Sequence, residues 1–580
     1  MRVLKNDMYE KAAPKEKVPV DGNAGVKSTR NKNNSSKMQV KSTFAAHDRT
    51  QLETVFDYPV VPGIAATTRK QKYVVEAWFF FPPQMGVSPQ TYSKEKFYAD
   101  LRPLVRFREP RFSFKELIGL SGSRSPIKFI EDYIRLVAEG KSHPNIHRAV
   151  SEARIFGCSF TSYFLKRMSK RTSQLQKFHM KIATVYDEEG DSLRSLERQM
   201  EETRELLSKS VYILKQWRQL LMAAEDLNQD FLKPLVNELK FVDEYCTYRM
   251  RDGLAGLMRV ATEIDPRLIP EIDFHGFLRR CVAMNRLERW YALKRGYTWI
   301  DENSSDGHVE RYMYRRGVLK RRTWGVLYLN IRKRPVFEFQ RQLGAMAAAG
   351  MAALWWVVAM YFITLRGGAF LGGNATVGAD FWETNGFLIM TASMIAYVLK
   401  DRIKENGRNF FSGKIFSQVP DNSERILFEP ANDRPIEVGA VQEYTRFVDP
   451  EDLPLDIKQL RLQSFGDDLE IEDAPKNIIH YKKAVELYPK AIALMDYQIR
   501  AVHDILRINI AGYLTRFDDP QSGTDVISAD GRLATLKLPK VYQMHIVLRH
   551  SLRHRRDQEV VYDHFKMVLN KRGIIRIERL

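Results

Sequence analysis

One uncharged run constrains the fold of this chain more than any other feature. From Leu343 to Leu365 the sequence reads LGAMAAAGMAALWWVVAMYFITL, 23 residues without a charged side chain. A helix rises about 1.5 Å per residue, so roughly 20 apolar residues cross the hydrocarbon core of a bilayer. The alternative is a helix buried in a large globular core, but such helices are usually shorter and carry polar residues. The run therefore predicts a transmembrane helix.

A second, weaker run follows it. Thr384 to Leu399 is 16 residues long, is uncharged and contains several small polar side chains. Phe381 and Trp382 precede it, and aromatic rings favour the membrane interface. A run of this length is able to cross if the bilayer thins locally or if flanking basic stems reach the interface. We expect a two-helix transmembrane hairpin, with a re-entrant second segment as the alternative.

Charges flanking the two runs predict the orientation of the hairpin. The outer flanks are basic and comprise Arg332, Lys333, Arg334, Arg341, Lys400, Arg402, Lys404 and Arg408. The connecting stretch carries Arg366 against Asp380 and Glu383. Because basic flanks remain on the cytoplasmic side of a membrane, this pattern predicts that both termini are cytoplasmic. The expected location is a bacterial-type inner membrane.

Small residues recur along the first run. Gly344, Ala348 and Ala352 are spaced four apart, and such stripes allow two helix backbones to approach closely in lipid. We expect these three residues to be helix-packing positions in the membrane. Their partner is either the second run of the same chain or another protomer.

Composition limits the remaining possibilities. The negative mean hydropathy excludes a channel or transporter built mainly of spanning helices. The formal net charge of +20 favours anionic partners, although basic flanks of membrane segments raise the charge for a different reason. Cys158, Cys246 and Cys281 are far apart, which argues against a disulfide framework and against a zinc site built on thiolates.

Changes of pattern divide the chain into six regions, and together they predict an α+β membrane protein with a mainly helical cytoplasmic region and small β-containing lobes. The regions are a disordered basic tail at 1–69, a small α/β lobe at 70–125, a helical region at 126–300, a basic β-hairpin at 301–341, the transmembrane hairpin at 342–400 and a C-terminal α+β domain at 401–580.

The helical region contains one regular heptad pattern. Positions at alternating spacings of three and four are mostly apolar: Leu193, Leu196, Met200, Thr203, Leu207, Ser210, Leu214, Trp217 and Leu221. This is the spacing of a coiled-coil seam. An ordinary long helix packed inside a bundle gives the same pattern, so both interpretations stay open.

Strand patterns occur on both sides of the helical region. Residues 73–81 are β-branched and aromatic, which is typical of a strand. In residues 541–548 and 565–569 every second residue is apolar, and a hairpin turn at 570–573 leads into residues 574–577. Residues 309–315 and 323–331 are expected to form a hairpin before the first apolar run. The C-terminal strands are expected to form a small sheet that is able to pair with that hairpin. Residues 477–514 are interpreted as one or two amphipathic helices.

The basic hairpin is the best candidate surface. The residues expected to contact lipid head groups are Arg315, Arg316, Lys320, Arg321, Arg322, Arg332, Lys333, Arg334, Lys400 and Arg402. Each basic residue near an anionic leaflet contributes about 1 kcal/mol. Nucleic acid is the alternative polyanion, with Trp324 and Tyr328 stacking on bases. The predicted neighbourhood of the bilayer favours anionic phospholipid.

A search for chemistry finds no catalytic motif. Phosphate-loop, dinucleotide, metalloprotease and nucleophile-elbow patterns are missing from the sequence. His545, His550, His554 and His564 match no zinc spacing and lie among arginines, so a basic surface loop is expected there. The acidic run at 467–473 lacks EF-hand spacing, and it is able to dock on the basic hairpin. No catalytic, cofactor-binding or metal-binding residue is predicted.

These features predict a membrane-anchored scaffold or assembly protein. Its partners are expected to be the bilayer and a protein, or a second copy, bound through the helical region. A signal-transducing or regulatory membrane protein is the first alternative. A membrane-anchored enzyme with an unrecognised site is the second, and it would require convergent polar groups in a pocket.

Overall fold

Two antiparallel β-sheets and a helical bundle account for most of the chain, which is described here by a computed structural model. The structure describes residues 41–60, 70–120, 125–141, 144–184, 189–264, 273–333, 336–363, 379–410, 420–429, 434–463, 477–495, 499–527, 531–554 and 557–580.

The smaller sheet is formed early in the chain and completed by one late strand. Its order within the described residues is β1-β2-β9-β4, with β1 at Lys41–Ala46, β2 at Gln51–Pro59, β4 at Leu101–Phe107 and β9 at Ala501–Asn509. Every second residue of β2 is buried, because that face packs on the larger sheet. The prediction of a disordered tail is therefore wrong for 41–59, while residues 1–40 and 61–69 lie outside the described residues.

The larger sheet joins strands from three regions that the sequence pattern separates. Its order within the described residues is β14-β13-β12-β3-β8-β7-β6-β5. The strands are β3 at Gln71–Phe81, β5 at Asn330–Lys333, β6 at Asn422–Phe428, β7 at Ile436–Val448, β8 at Asn477–Leu487, β12 at Tyr542–His554, β13 at Asp557–Asn570 and β14 at Gly573–Arg579. The strands predicted at 73–81 and in the C-terminal tail are confirmed.

A bundle of long helices packs against the sheets. The bundle consists of α3 at Pro126–Ala138, α4 at Ile146–Thr184, α5 at Glu189–Asp226, α6 at Lys233–Ala261, α7 at Phe274–Lys294 and α8 at Asp306–Trp324. Two short helices precede it, α1 at Lys94–Asp100 and α2 at Phe114–Leu117, and Phe97 of α1 belongs to the core of the sheets. Ile155 and Cys158 of α4 belong to the apolar core of the sheets. Gly157 between them allows a close approach, since a Cβ there would lie 2.6 Å from the Thr323 Cγ2 of α8. The helices α3 to α7 lie between residues 126 and 294, where the sequence pattern predicts helix.

The heptad pattern of α5 belongs to the interior of this bundle. Met200, Leu207, Leu214 and Leu221 are buried in the same apolar core as residues of α4 and α6. Trp217 stacks on Phe156 of α4 with 4.0 Å between ring centroids. The bundle interpretation of the pattern is therefore the correct one, and the coiled-coil interpretation is not supported.

The predicted basic hairpin is wrong, because most of it is the helix α8. Ser305 precedes the helix, and Tyr312, Leu319 and Thr323 are buried at helical spacing. Only β5 is extended, and it pairs with β6 at the opposite edge of the sheet from β14. The pairing expected between this segment and the C-terminal strands is therefore not formed.

The amphipathic helices predicted at 477–514 are also wrong. This stretch forms β8 and β9. A short helix, α12 at Pro489–Leu494, joins the two strands, and another, α13 at Ala511–Leu514, follows β9. Burial alternates along the second half of β8, and β8 lies between β3 and β7. A strand that is covered on both faces needs apolar residues on both faces. Near the start of β8 consecutive residues are buried, so the sequence there lacks the apolar–polar alternation that indicates a strand. The remaining helices are α9 at Val336–Tyr361, α10 at Ala379–Phe410, α11 at Leu455–Gln463, α12 at Pro489–Leu494 and α13 at Ala511–Leu514.

The predicted transmembrane hairpin is contradicted by the structure. Within the residues that it describes, no helix combines the length and the apolar character that crossing a bilayer demands. The helix α9 begins at Val336 and therefore includes Glu338 and Arg341, and it ends at Tyr361, before the end of the apolar run. The uncharged part of α10 is only 16 residues long. The membrane-protein class and the inner-membrane location with cytoplasmic termini were predicted from this hairpin, and they are wrong with it.

Candidate partner-binding surface

Three of the ten basic residues predicted to form one surface are paired inside the bundle. The helix α6 carries carboxylates toward α8: Arg315 lies 2.7 Å from Glu244, Arg316 lies 2.7 Å from Asp252, and Arg322 lies 2.8 Å from Glu238. Glu238 and Glu244 are buried, so these arginines serve as counter-charges for an interior helix.

The other predicted contact residues are scattered. Arg332 pairs with Glu429, Lys333 is exposed on β5, and Arg321 is exposed on α8. Lys400 lies 5.1 Å from the Tyr397 ring centroid, and Arg402 lies 3.5 Å from Glu405. Desolvation and the neighbouring arginines of this region lower the pKa of Lys320. Arg334 lies outside the described residues. The described members of this set lie on three separate elements, α8, β5 and α10.

The two aromatic residues proposed to stack on bases have different surroundings. The Trp324 indole N–H donates to the Tyr245 hydroxyl at 2.7 Å, and its ring lies under the Arg106 guanidinium at 5.0 Å. Tyr328 is exposed next to β5. Trp324 is therefore part of the junction between the bundle and the smaller sheet and is not available to a nucleic acid.

The small residues of the first apolar run pack within the chain. Ala348 and Ala352 are buried, and a Cβ on Gly407 of α10 would lie 3.4 Å from the Ala348 Cβ. The rings of Trp356 and Tyr397 are 6.0 Å apart across the two helices. The side-chain surroundings of Gly344 lie outside the described residues.

The C-terminal histidines lie within the larger sheet instead of a surface loop. His545 Nδ1 is 3.2 Å from His564 Nε2, and burial lowers the pKa of His545 to about 3 and that of His564 to about 4. His550 Nε2 is 3.3 Å from Asp563 Oδ2. The described residues hold no group of three or more histidine, cysteine or acidic side chains arranged for a metal ion. Nothing is described of the His554 side chain.

The polar groups inside the β-sandwich are enclosed and form no open site. Lys483 of β8 lies 2.7 Å from Asp504 of β9, and both are buried. The Tyr481 hydroxyl donates to Glu443 at 2.7 Å. A nearby cavity is lined entirely by apolar and aromatic residues and has room for about one water molecule. Burial closes the first of these places to a ligand, and the second presents an apolar lining.

An exposed surface that the sequence did not single out lies on α7. Asp273 caps this helix by accepting from the Gly276 N–H at 2.8 Å. Its buried face consists of Phe274, Phe277, Cys281, Glu288 and Ala292. The opposite face points away from the bundle, because only one face of α7 is covered.

The exposed face is both basic and apolar. Arg279, Ala283, Arg286, Trp290 and Lys294 follow one another at spacings of four, three, four and four residues and are all exposed. We call these five residues the α7 strip, which is about 22 Å long. Trp290 is 61% exposed, and Leu287 and Leu293 flank it at 66% and 56%.

The charges of the α7 strip are not neutralised within the described part of the chain. Arg279 and Arg286 form no ion pair with a described carboxylate, and the Lys294 ammonium lies 5.2 Å from the Trp290 ring centroid. By contrast, Arg289 pairs with Asp301 at 2.9 Å, and Arg295 pairs with Glu225 at 3.1 Å. Glu288, the one acid in α7, is buried. Every charged side chain on the exposed face of α7 is therefore positive.

A buried network fixes the orientation of α7. The Arg218 guanidinium binds Glu288 of α7 at 2.6 Å and Asp243 of α6 at 3.2 Å. The Tyr291 hydroxyl donates to Asp243 at 2.8 Å. Desolvation opposes the charge on Arg218, but Glu288 and Asp243 outweigh it and raise the pKa of this guanidinium. This network ties the rear of α7 to α5 and α6, so the α7 strip is presented on a rigid support.

Only the tertiary structure distinguishes this surface from its neighbours. Residues 279–294 are visibly basic and contain Trp290, but residues 311–322 are equally basic and are largely paired. The sequence carries one signal that distinguishes the two segments: the single acid of α7, Glu288, falls on the apolar and buried face of the helix, which leaves the other face without an acid. Comparison of the chain with known protein families, with curated proteins and with solved structures gave no match.

Proposed function

We propose that this chain is an assembly protein that binds an acidic protein partner through the α7 strip. The observation that carries the proposal is the exposure of Trp290, Leu287 and Leu293 beside Arg279 and Arg286, which form no ion pair with a described carboxylate. Tryptophan and arginine are the residues that most often dominate binding energy at protein interfaces. The proposal retains the assembly role and does not include a membrane anchor.

The apolar residues favour a protein over a nucleic acid. Burying one large apolar side chain contributes about 1.5–3 kcal/mol, and a partner that covers Trp290, Leu287 and Leu293 gains this from each. A phosphate backbone would engage Arg279 and Arg286 but would leave the two leucines in water. A partner that covers the apolar side chains and also pairs with the arginines presents an apolar ridge bordered by carboxylates.

An acidic amphipathic helix has this chemistry and is therefore the probe for the experiment. The probe is a fluorescent 21-residue peptide with leucine at its a and d heptad positions and glutamate at its e and g positions. The full chain is expected to bind it, and Arg286→Glu combined with Trp290→Ala is expected to weaken binding at least tenfold, or about 1.4 kcal/mol. Fluorescence anisotropy measures the dissociation constants.

The matched control changes the same charge away from the α7 strip. Arg311 is exposed on α8 and forms no ion pair with a described carboxylate, so Arg311→Glu is expected to leave peptide binding within twofold of the unmodified chain. Equal binding of a peptide with lysine in place of glutamate contradicts the proposal. Tighter binding of a 20-base-pair DNA duplex that is lost with Arg286→Glu would assign the surface to nucleic acid instead.

A further inference from the structure

A two-stranded hairpin extends from the β-sandwich. Its strands are β10 at Gln521–Ile527 and β11 at Leu533–Pro539, and within the described residues they pair only with each other. Thr535 Oγ1 donates to Asp525 Oδ1 at 2.6 Å across the pair. An isolated two-stranded hairpin is at best marginally stable in water, so a hairpin of this kind gains stability when another strand is added.

One face of this hairpin is apolar. The register places Val526 opposite Ala534, Thr524 opposite Leu536 and Ser522 opposite Leu538, so these six side chains share a face. Leu536 is 47% exposed and Leu538 is 44% exposed. The other face carries Asp525, Thr535 and Lys537 together with Ile527 and Leu533, which are each 72% exposed. The hairpin therefore exposes apolar side chains on both faces, and nothing covers them within the described residues.

Hydrogen bonding at the base of the hairpin defines its free edge. The Lys540 N–H donates to the Pro520 carbonyl directly opposite it at 3.0 Å. Because hydrogen-bonded pairs alternate along antiparallel strands, the backbone groups of every second residue of β11 point to β10, and these residues are Ala534, Leu536 and Leu538. The backbone groups of Leu533, Thr535, Lys537 and Pro539 point outward, although Pro539 offers only its carbonyl because proline has no N–H. The outer edge of β11 is thus a row of unpaired donors and acceptors within the described part of the chain.

We propose that β11 pairs antiparallel with β11 of a second copy of this chain, with the two-fold axis at Leu536. This arrangement places the outward backbone groups of Thr535 opposite those of Lys537 in the other copy. The two Leu536 side chains then lie opposite each other on the apolar face, and Leu538 lies opposite Ala534. A four-stranded sheet with one continuous apolar face results.

Charge distinguishes β11 from the other edge. In the proposed pairing Lys537 of one copy lies opposite Thr535, in the same row as Asp525 of the other copy, so opposite charges share that row. Pairing through β10 about Thr524 would instead place Asp525 opposite Gly523, and a glycine inside a strand weakens it. The self-complementary edge is therefore β11, and a second copy is its occupant.

This inference is independent of the α7 strip, because it rests on different residues and its test does not use the acidic peptide. If both hold, the dimer presents two α7 strips, and a partner with two binding segments gains affinity by multivalency.

Proline substitutions on the two edges test the proposal. Thr535→Pro removes an outward N–H of β11, whereas Asp525→Pro removes an outward N–H of β10, and each loses the same Thr535–Asp525 hydrogen bond. Sedimentation equilibrium of the full chain is expected to show a dimer. Thr535→Pro is expected to raise the dimer dissociation constant at least tenfold. Asp525→Pro leaves the paired edge intact and loses only the Asp525 charge, so it is expected to raise the constant less than fivefold. Circular dichroism checks that both variants fold.

A cross-linking experiment locates the two-fold axis. Cys158, Cys246 and Cys281 are buried, so an introduced thiol at the hairpin reacts without competition from them. Leu536→Cys is expected to form an intermolecular disulfide when oxidised glutathione is added, because residue 536 lies opposite its own copy. Thr535→Cys lies opposite Lys537 and is expected to give less than a tenth of that product.

Each contrary result is decisive. A monomeric full chain at 100 µM overturns the proposal, as does a dimer that Thr535→Pro leaves intact. Greater sensitivity to Asp525→Pro than to Thr535→Pro would assign the pairing to β10. Equal cross-linking of the two cysteine variants would show random collision instead of a defined pairing.

Discussion

Replacing Lys483 with methionine is expected to lower the free energy of unfolding by about 3–5 kcal/mol, the usual loss when one partner of a buried ion pair is removed. Lys483 is 1% exposed, and its ammonium lies 2.7 Å from Asp504, which is equally buried. Glu443 lies directly opposite Lys483 on β7 and is also buried. Without the ammonium, two carboxylates remain in the core between the sheets, and no other described cation lies between them.

The neighbouring groups explain why this lysine remains charged. Desolvation works against its charge, but Asp504 and Glu443 outweigh it and raise the pKa of Lys483. Burial and the nearby Glu443 raise the pKa of Glu424, so this part of the core already carries an excess of acidic groups. The cluster depends on its single lysine among the described residues, and this dependence makes the expected effect large.

Urea unfolding at neutral pH measures the loss. Lys482 is the matched control, because it is the adjacent residue on the opposite face of β8 and its ammonium lies 5.6 Å from the Tyr444 ring centroid. Lys482→Met is expected to cost less than about 1 kcal/mol. The double variant Lys483→Met, Asp504→Leu is expected to regain part of the stability, because it removes both charges. Equal losses from Lys482→Met and Lys483→Met would contradict the ion-pair explanation.

Sequence patterns predict the secondary structure correctly where a few consecutive residues determine it. The aromatic and β-branched run at 73–81 became β3, and the turn at Asn570–Gly573 joins β13 to β14. The helical periodicity of the 126–300 region also held. These elements were predictable because side-chain period and turn chemistry act over a few residues.

The errors arose where distant partners decide the outcome. Arg315 and Arg322 looked like a free basic surface, but their counter-ions Glu244 and Glu238 lie 71 and 84 residues away in sequence. The short apolar runs of this segment predict strands. The same two carboxylates on α6 instead stabilise the segment as the helix α8. No local pattern reports such a pairing.

The candidate surface was missed for the same reason. The sequence of α7 is basic along its whole length, and only the packing on α6 shows that Cys281 and Glu288 are covered while Arg286 and Trp290 are not. The apolar runs at 343–365 and 384–399 led to the opposite error. Their composition predicts membrane spans, although α9 begins at Val336 and α10 at Ala379, and both helices include charged residues before their apolar part.

The contribution of Glu109 to stability is expected to vanish in acid. Glu109 follows β4 and is buried against the bundle, where Ser162 donates to it at 3.2 Å, Arg106 lies 3.4 Å away and Lys166 forms an ion pair. Burial disfavours its charge, but Lys166 and Arg106 outweigh this and hold its pKa at about 2. A lowered pKa in the folded state stabilises the fold above the unfolded pKa of 4.5.

The sign of the pH dependence follows from that difference. At pH 6 Glu109→Gln is expected to lower the free energy of unfolding by about 2 kcal/mol, less than the full shift implies because Lys166 is half exposed and screened by solvent. As the pH falls from 4.5 to 2, the unfolded chain binds the proton before the folded chain does, and the difference between the two proteins is expected to shrink toward zero. Glu310→Gln, an exposed change on α8, serves as the control and is expected to change the free energy of unfolding by less than about 0.5 kcal/mol at pH 6. Urea unfolding at pH 6 and pH 3 separates the possibilities: a Glu109→Gln difference that stays constant would show that Lys166 and Arg106 do not hold this carboxylate in its charged form.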